Sequence, residues 1–473
     1  MTLMSALSAA MTGLRATQAG MNVVSQNVAN AGSPGYTKRR TLPVEAVAGG
    51  RSAGVRTGEV QRVLDTVLQR QLRQENSGAG YTSVRANMAG ALDRLYGAPG
   101  TASALDTLMN GFAGALDRLV DDPASAAARN GVLDAARAAA RRINQIATGV
   151  QALRTEAEGR IASGVAQADE LLQGIERVNQ SIVSSSTRSA ALEDERDRLI
   201  DQLSRLVDLR VMPADAGAVT ITTGSGQTLF DGARAVRLTF DARSTLGPDS
   251  LAGSDPQSVG IIRASGGALE VDLVQAGAFR SGMIGAALEM RDVTLVQAQA
   301  QLDTLAAGIA ARVVQPGVNP GDPPLFALFN QPTGPNQPRG FAQMIAVATT
   351  NPAALVDGLA GDATRPQALR AGLDADITFP ATLGLAGNAV FEASALTGAR
   401  RIIEVQGAAA EAAARLDEGQ RVALAAIEGR FSEVSGVDID EEMTQLVMLQ
   451  TAYGANARVM TAVREMLETL MRI

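Results

Sequence analysis

The two ends of this sequence carry its most regular hydrophobic pattern. Near the start, positions spaced alternately by four and three form a heptad stripe: Leu3, Leu7, Ala10, Leu14, Thr17, Met21, Val24 and Val28. The C-terminal stripe is Leu446, Leu449, Val459, Val463, Met466, Leu470 and Ile473, widened by Met443, Tyr453, Met460 and Leu467. Heptad spacing places one face of a helix against another helix. The ends are therefore predicted to be helices that pack on each other, on copies of the chain, or both.

Between the two ends the pattern is mostly helical. The first helix is predicted to stop near Asn30, because a glycine and then Pro34 follow it. Residues 36–60 are predicted to be extended and irregular, and a second helix is predicted over about 61–95. Helical periodicity then continues from about 101 to 208, with a break at Asp122-Pro123.

After Pro213 the apolar residues alternate at period two, in segments such as 236–240 and 269–273 separated by glycine-rich turns. This predicts a small antiparallel β domain. Helix is predicted again over about 281–315 and 394–432, and residues 316–340 form a Pro- and Gly-rich loop. Residues 341–392 are mixed, and their secondary structure is not assigned.

The pattern predicts a mainly α protein with a small β domain. Residues 1–36 with 435–473 form an inner domain in which the N- and C-terminal helices pair like a coiled coil. Residues 37–208 with 281–315 and 394–434 form a long helical middle domain. Residues 209–280 form the antiparallel β outer domain, and residues 316–393 are left unassigned.

Composition removes whole classes of chemistry. The 473 residues include no Cys and no His, and Lys38 is the only lysine. Thiolate nucleophiles, zinc fingers, the Ser–His–Asp triad and Walker-type loops are therefore unavailable. A net charge of −7 argues against a nucleic-acid partner. No run approaches the roughly 18 apolar residues that would indicate membrane insertion. We expect neither an enzyme nor a cofactor.

Two charged clusters have a structural and a functional interpretation. The run from Glu193 to Arg198 is predicted to be a solvated helix face with short-range ion pairs. Asp438, Asp440, Glu441 and Glu442 could bind a divalent cation. The favoured interpretation is an N-cap at Asp438 with Glu441 completing a capping box, and no metal site is predicted.

Both terminal motifs resemble those of a known family. The N-terminal motif consists of Ser5-Ala6-Leu7, Gly13-Leu14, Asn27-Val28-Ala29-Asn30 and Ser33-Pro34-Gly35-Tyr36. The C-terminal motif runs from Ser435 to Met443 and continues at Tyr453-Gly454-Ala455-Asn456-Ala457-Arg458-Val459. Together they are similar to the termini of bacterial flagellar rod, hook and hook-associated proteins. The interior, from Asp122-Pro123 to Leu206 and from Gly282 to Asp292, resembles the hook-associated members.

This resemblance implies a secreted, structural subunit of the extracellular flagellum that joins the hook to the filament. Its implied partners are further copies in a ring or short tube, the hook protein, a second hook-associated protein and an export chaperone. Export would follow the flagellar type III pathway. A hook or distal-rod subunit is the alternative within the family, and a cytoplasmic coiled-coil scaffold is the alternative from another class.

Two sets of residues follow from the resemblance and the heptads. The subunit-assembly interface is predicted at Leu3, Leu7, Leu14, Met21, Val24, Val28, Tyr36, Met443, Leu446, Tyr453, Met460 and Leu467. The export chaperone is predicted to dock on Val459, Val463, Met466 and Leu470 by helix-in-groove packing. Tyr36 and Tyr453 either anchor subunit contacts or pack within their own chain. Both termini are expected to be weakly ordered in the free monomer and to fold on assembly.

Overall fold

The heptad-spaced segments become long helices in a computed structural model of the protein. It describes residues 3–48, 51–98, 100–185, 189–253, 258–266, 270–313, 324–328, 339–356 and 361–472. Its helices are α1 Leu3–Ala29, α2 Thr66–Tyr96, α3 Leu105–Asp121, α4 Ala126–Ser184, α5 Ala190–Leu206, α6 Gly282–Glu289, α7 Leu295–Arg312, α8 Phe341–Met344, α9 Thr364–Asp374, α10 Ala395–Ser435 and α11 Ile439–Arg472. The predicted class, mainly α with small antiparallel sheets and long terminal helices, is confirmed.

All the strand pairs described are antiparallel. The strands are β1 Arg39–Thr41, β2 Val44–Ala48, β3 Arg51–Arg56, β4 Val60–Arg62, β5 Leu209–Pro213, β6 Val219–Thr223, β7 Thr228–Phe230, β8 Arg237–Phe240, β9 Ile262–Ser265, β10 Glu270–Asp272, β11 Phe326–Leu328, β12 Ile345–Val347, β13 Ile377–Phe379, β14 Leu385–Asn388 and β15 Phe391–Ala393. Two three-stranded sheets, β5-β6-β7 and β8-β9-β10, occupy the predicted outer β region. Residue 269, placed in a strand from its alternation, lies outside the described residues.

The helical body is built along α4, which at 59 residues extends for about 88 Å. Helices α3, α5, α6 and α7 pack on it, and α2 pairs with α10. Core side chains come from every third or fourth residue of α4, such as Ile143, Ala147 and Val150. Part of the segment left unassigned by the sequence also joins this core. Phe326 packs edge-to-face on Phe112, with 5.6 Å between ring centroids.

One boundary differs from its prediction for an identifiable reason, and two predicted segments contain structure that the pattern did not indicate. Helix α2 begins at Thr66 rather than near residue 61, because β4 uses Val60–Arg62 and the Asp65 carboxylate then caps the helix. The extended segment 36–60 forms two antiparallel strand pairs, β1–β4 and β2–β3. The helix predicted over 281–315 contains a π-helical turn at Met290–Thr294 between α6 and α7. No helix within the described ranges is both long and apolar enough to cross a membrane.

Candidate functional site

The terminal helices α1 and α11 pack against each other in antiparallel orientation. A Cβ atom on Gly13 would lie 3.0 Å from Asn456 Nδ2, and one on Gly20 would lie 3.1 Å from Leu449 Cδ1. One heptad further along, Asn27 Nδ2 donates to Glu442 Oε2 at 3.0 Å. Each step of seven residues forward in α1 is matched by seven residues back in α11. The two helices therefore share a single seven-residue register, and two glycines allow them to approach closely. Of these six contact residues only Leu449 belongs to a predicted apolar stripe.

One side of this helix pair is lined by apolar residues. Leu7, Leu14 and Met21 each follow a contact position of α1 by one residue, a rotation of about 100°. Leu446, Tyr453 and Met460 each precede a contact position of α11 by three residues. Three residues back is a rotation of about −300°, which is equivalent to about 60° in the same sense as the row on α1. When two helices are antiparallel, side chains rotated from the contact line in the same sense about each helix axis lie on the same side of the pair. Both rows therefore lie on one side.

We call this surface the open face: Leu7, Leu14, Met21, Leu446, Tyr453, Met460 and Leu467. All seven side chains are half-buried or exposed in the single chain. Apolar rows that stay partly solvated mark a surface that another molecule can cover.

The remaining residues predicted for subunit assembly have different surroundings. Val24 is buried, and Val28 is half-buried. Tyr36 is half-buried, and its hydroxyl donates to Asn27 Oδ1 at 2.9 Å within the same chain. Met443 is exposed and lies at the margin of the open face, because it follows the contact residue Glu442 by one residue. The side chain of Leu3 and the whole of Ile473 lie outside what the structure describes.

The hairpin formed by β2 and β3 covers the other flank of α1. The Val55 N–H donates to Thr12 Oγ1 at 3.2 Å, and Gly54 has a φ of 113°, which favours glycine. A Cβ atom on Gly54 would collide with Thr12 Oγ1. A cavity of about 530 Å³ separates the hairpin from the helix pair, lined by residues that include Ala16, Val55 and Leu449.

The residues predicted to dock a chaperone do not form one exposed stripe. Val459, Met466 and Leu470 are exposed, with Met466 at 55%. Val463 is only 6% exposed, because the register places it opposite residue 6 of α1. While the helices are paired, the exposed surface on this flank of α11 therefore consists of the other three residues.

The charge run of α5 lies at the junction between the terminal pair and the body, and the prediction of a solvated face is wrong. Glu193, Asp194, Arg196 and Asp197 are all buried, with Asp194 at 7% exposure. Arg39 Nη2 lies 2.8 Å from Asp194 Oδ2, and Arg62 Nε lies 2.9 Å from Asp194 Oδ1. These arginines belong to β1 and β4, so the run is covered by the strands that follow α1.

The same contacts continue to α2. Asp197 accepts from Arg62 Nη2 at 2.6 Å and from Arg73 Nη2 at 3.0 Å. Arg73 Nε also donates to Asp201 Oδ1 at 2.6 Å. We call this cluster the ionic joint: Arg39, Arg62, Arg73, Glu193, Asp194, Asp197 and Asp201. Burial raises the pKa of Asp201, whereas Arg73 and Arg62 outweigh burial at Asp197 and hold its pKa below the ordinary value.

A second group of polar contacts ties the joint to α11. Lys38 Nζ lies 2.8 Å from Glu441 and 3.6 Å from Glu442. Asp438 caps α11 by accepting from the Asp440 N–H at 2.8 Å, as predicted. Asp438 also accepts from the Glu441 N–H at 3.3 Å, which is one half of the predicted capping box. The Glu441 side chain pairs with Lys38, so the reciprocal half is replaced by an ion pair between the two chain ends. Among the described residues, no three carboxylates are grouped to hold a metal ion.

These features define a mainly helical protein whose paired ends present an apolar face and are fixed to the body through buried charges. Three family models match it in chain order. Residues 7–37 match the flagella basal body rod protein, 89–315 the helical domain of flagellar hook-associated protein FlgK, and 428–473 the C-terminal part of flagellar basal body rod FlgEFG proteins.

Flagellar hook-associated protein 1 of Bacillus subtilis (strain 168) is 26% identical over 515 aligned positions, covering 98% of this chain and 97% of that protein. The protein of the same name from Salmonella typhimurium (strain LT2) is 28% identical over 320 positions, covering 65% of this chain and 55% of the relative. The chain is therefore similar to flagellar hook-associated protein 1 along nearly its whole length.

A solved structure, the flagellar hook junction protein FlgK from Burkholderia pseudomallei, aligns with a TM-score of 0.46 at 24% identity. That alignment covers 55% of this chain and 46% of the other. Among the three family models, the one that matches residues 89–315 describes a hook-associated protein, which argues against the hook or distal-rod alternative and against a cytoplasmic scaffold.

Proposed function

We propose that this chain is a non-enzymatic structural subunit of the extracellular bacterial flagellum that joins the hook to the filament. Its copies assemble through the open face into a ring or short tube. The hook protein contacts one end of that assembly, and a second hook-associated protein contacts the other. The names of the relatives and the order of the three family matches support this role.

The open face is the observation that carries the proposal. The apolar residues of α11 span both sides of its contact line with α1, which is more than one partner helix can cover. Between Ile439 and Arg472 only Glu442 and Val463 are buried. A helix of this length with so little of its apolar surface covered favours packing against neighbouring copies.

Charge placed on the open face tests the assembly role. Leu14→Asp combined with Met460→Asp should abolish attached filaments, because two carboxylates would have to be buried between copies without partners. The control is Gln18→Asp with Thr461→Asp, which charges exposed positions of the same helices. Electron microscopy of complemented deletion cells should show bare hooks, and filament subunits should accumulate in the medium. Normal filaments on cells making the first variant would reject the proposal.

We further propose that the chain leaves the cell by the flagellar type III pathway after a chaperone binds the exposed flank of α11. Met466→Asp with Leu470→Asp should reduce the secreted protein severely while the intracellular level is maintained. Val463 is unsuited to this test, because its replacement would also disturb the contact with α1. Val447→Asp, an exposed position on the opposite side of α11, is the matched control. Undiminished secretion of the double variant would exclude this docking surface.

A further inference from the structure

The ionic joint connects four separate parts of the chain. Arg39 comes from β1, Arg62 from β4 and Arg73 from α2, and all the carboxylates come from α5. Asp194 bridges the first two arginines, and Asp197 bridges the second and third. Because guanidinium and carboxylate groups pair in fixed planar geometries, each bridging carboxylate constrains two chain segments at once.

Apolar packing offers little alternative support at this junction. Leu42, Val44 and Val60, which belong to or adjoin the connecting strands, are all exposed. The polar contacts, by contrast, extend into both terminal helices through Asn27 and through the pair of Lys38 with Glu442. Thr37 adds a further contact, because its hydroxyl donates to Asp194 Oδ1 at 2.6 Å. Directional polar interactions therefore hold the strands that connect the terminal pair to the body.

We propose that the ionic joint sets the angle between the α1–α11 pair and the helical body. Buried ion pairs often contribute little net stability, because desolvation opposes their attraction, but they can specify one geometry among several. In this protein the specified quantity is the direction in which the terminal pair leaves the body. The consequence of this angle for assembly rests on the proposed function. Copies in a closed ring must share one angle, because a deviation in each copy adds to that of the next.

The absence of cysteine from the sequence makes this angle measurable with spin labels. One label is attached at Gln167→Cys on α4 and the other at Thr444→Cys on α11, close to the joint, and both are exposed positions. Pulsed electron paramagnetic resonance of the full chain then gives the distance distribution between body and terminal pair. A single narrow distribution is expected for the otherwise unmodified chain, and a broad one would overturn the proposal.

The test variant combines Arg39→Met with Asp194→Leu, which removes one charge of each sign from the joint. The distribution should become at least twice as wide, or its maximum should move, while the thermal unfolding midpoint changes by only a few degrees. The control, Arg160→Met with Glu156→Leu, removes an exposed pair on α4 and should leave the distribution unchanged. An unchanged, narrow distribution in the test variant would overturn the proposal.

Thr37→Val covers the case in which the double variant fails to fold. It removes the hydrogen bond that Thr37 donates to Asp194 and the one that it accepts from Arg62 Nε, and it keeps every charge of the joint. A wider distribution in this variant supports the proposal, and an unaltered one would assign the joint to stability alone. Flagellation is scored separately in cells. If the distance distribution widens while filaments remain normal, the joint controls the angle but the angle is not needed for assembly. If the open-face test fails, the conclusion drawn from the distance distribution is unaffected.

Discussion

At the residue scale, Asn27 has every hydrogen-bonding atom of its buried side-chain amide satisfied. Nδ2 donates to the Arg39 carbonyl at 2.9 Å and to Glu442 Oε2 at 3.0 Å. Oδ1 accepts from the Tyr36 hydroxyl at 2.9 Å and from the Arg39 N–H at 3.1 Å. One side chain therefore links α1, β1 and α11.

Replacing Asn27 should cost more than replacing an exposed asparagine of the same helix. Asn27→Ala leaves the buried Glu442 carboxylate and the Arg39 backbone without these partners, so we expect the free energy of unfolding to fall by about 3 kcal/mol. Urea titration followed by circular dichroism measures the change. Asn22→Ala, at an exposed position, is the control and should change it by less than about 0.5 kcal/mol. Equal effects of both replacements would contradict this account of Asn27.

The buried carboxyl group of Asp303 should make the folding stability depend on pH. Burial raises its pKa to about 6, although the N–H groups of Gly340 and Ala342 donate to it. The folded chain thus holds this proton more tightly than the unfolded chain, so this residue's contribution to stability falls as pH rises from about 4 to 6.

Asp303→Asn removes that titration. Relative to the unmodified protein, the variant should gain about 2.4 kcal/mol in unfolding free energy between pH 4 and pH 7, because one pKa unit corresponds to about 1.4 kcal/mol and part of the titration lies below pH 4. Urea titrations of both proteins at the two pH values give this double difference, and Asp134→Asn at an exposed site is the control. A difference that stays constant with pH, or changes in the opposite direction, would refute the argument.

The charge run of α5 shows why some of the site could not be predicted. Glu193, Asp194 and Asp197 have the spacing and neighbours of a solvated helix face, and nothing in the local sequence marks them as buried. Their partners, Arg39 and Arg62, lie more than 100 positions earlier in the chain. Local periodicity carries no information about such distant pairing. One available signal was the density of charged residues in this run, together with the arginines of the distant extended segment 36–60.

At the element scale, the heptads predicted the helices better than they predicted their surroundings. Apolar spacing located α1 and α11, since periodicity reflects burial along one element. The glycines that set their separation were not distinguished by sequence. Gly20 faces Leu449, whereas a Cβ atom added to Gly454 would meet no described atom within 4 Å beyond the adjoining backbone of its own helix. A larger side chain would therefore crowd the partner helix at Gly20 but would meet no neighbour at Gly454.

This contrast gives a prediction for the terminal pair. Gly454→Ala should stabilise α11 by up to about 1 kcal/mol, because alanine has the higher helix propensity and meets no neighbour. Gly20→Val should weaken the pair, because its side chain would push Leu449 and the α11 backbone away. Hydrogen exchange of the α11 amides reports both: protection should rise in the first variant and fall in the second. Greater protection in Gly20→Val would show that the helices do not approach as described.

At the scale of the whole molecule, burial is distributed unevenly. The body has a continuous core along α4, with fully buried residues such as Leu133, Ile161 and Leu172. From Ile439 to Arg472 the terminal helix α11 buries only Glu442 and Val463. Local opening free energy follows the number of buried apolar contacts, so the terminal pair should open far more often than the body.

Hydrogen exchange of the free chain should therefore divide the molecule in two. Amides of α4 should be protected by the full unfolding free energy, whereas those of α11 beyond residue 446 should exchange faster by at least about a hundredfold. Assembly should remove most of this difference, because neighbouring copies would cover the open face and raise the cost of opening. Mass spectrometry on monomer and assembled material measures both states. Equal protection of α4 and α11 in the monomer would mean that the pair is self-sufficient, and that neighbours do not complete its folding.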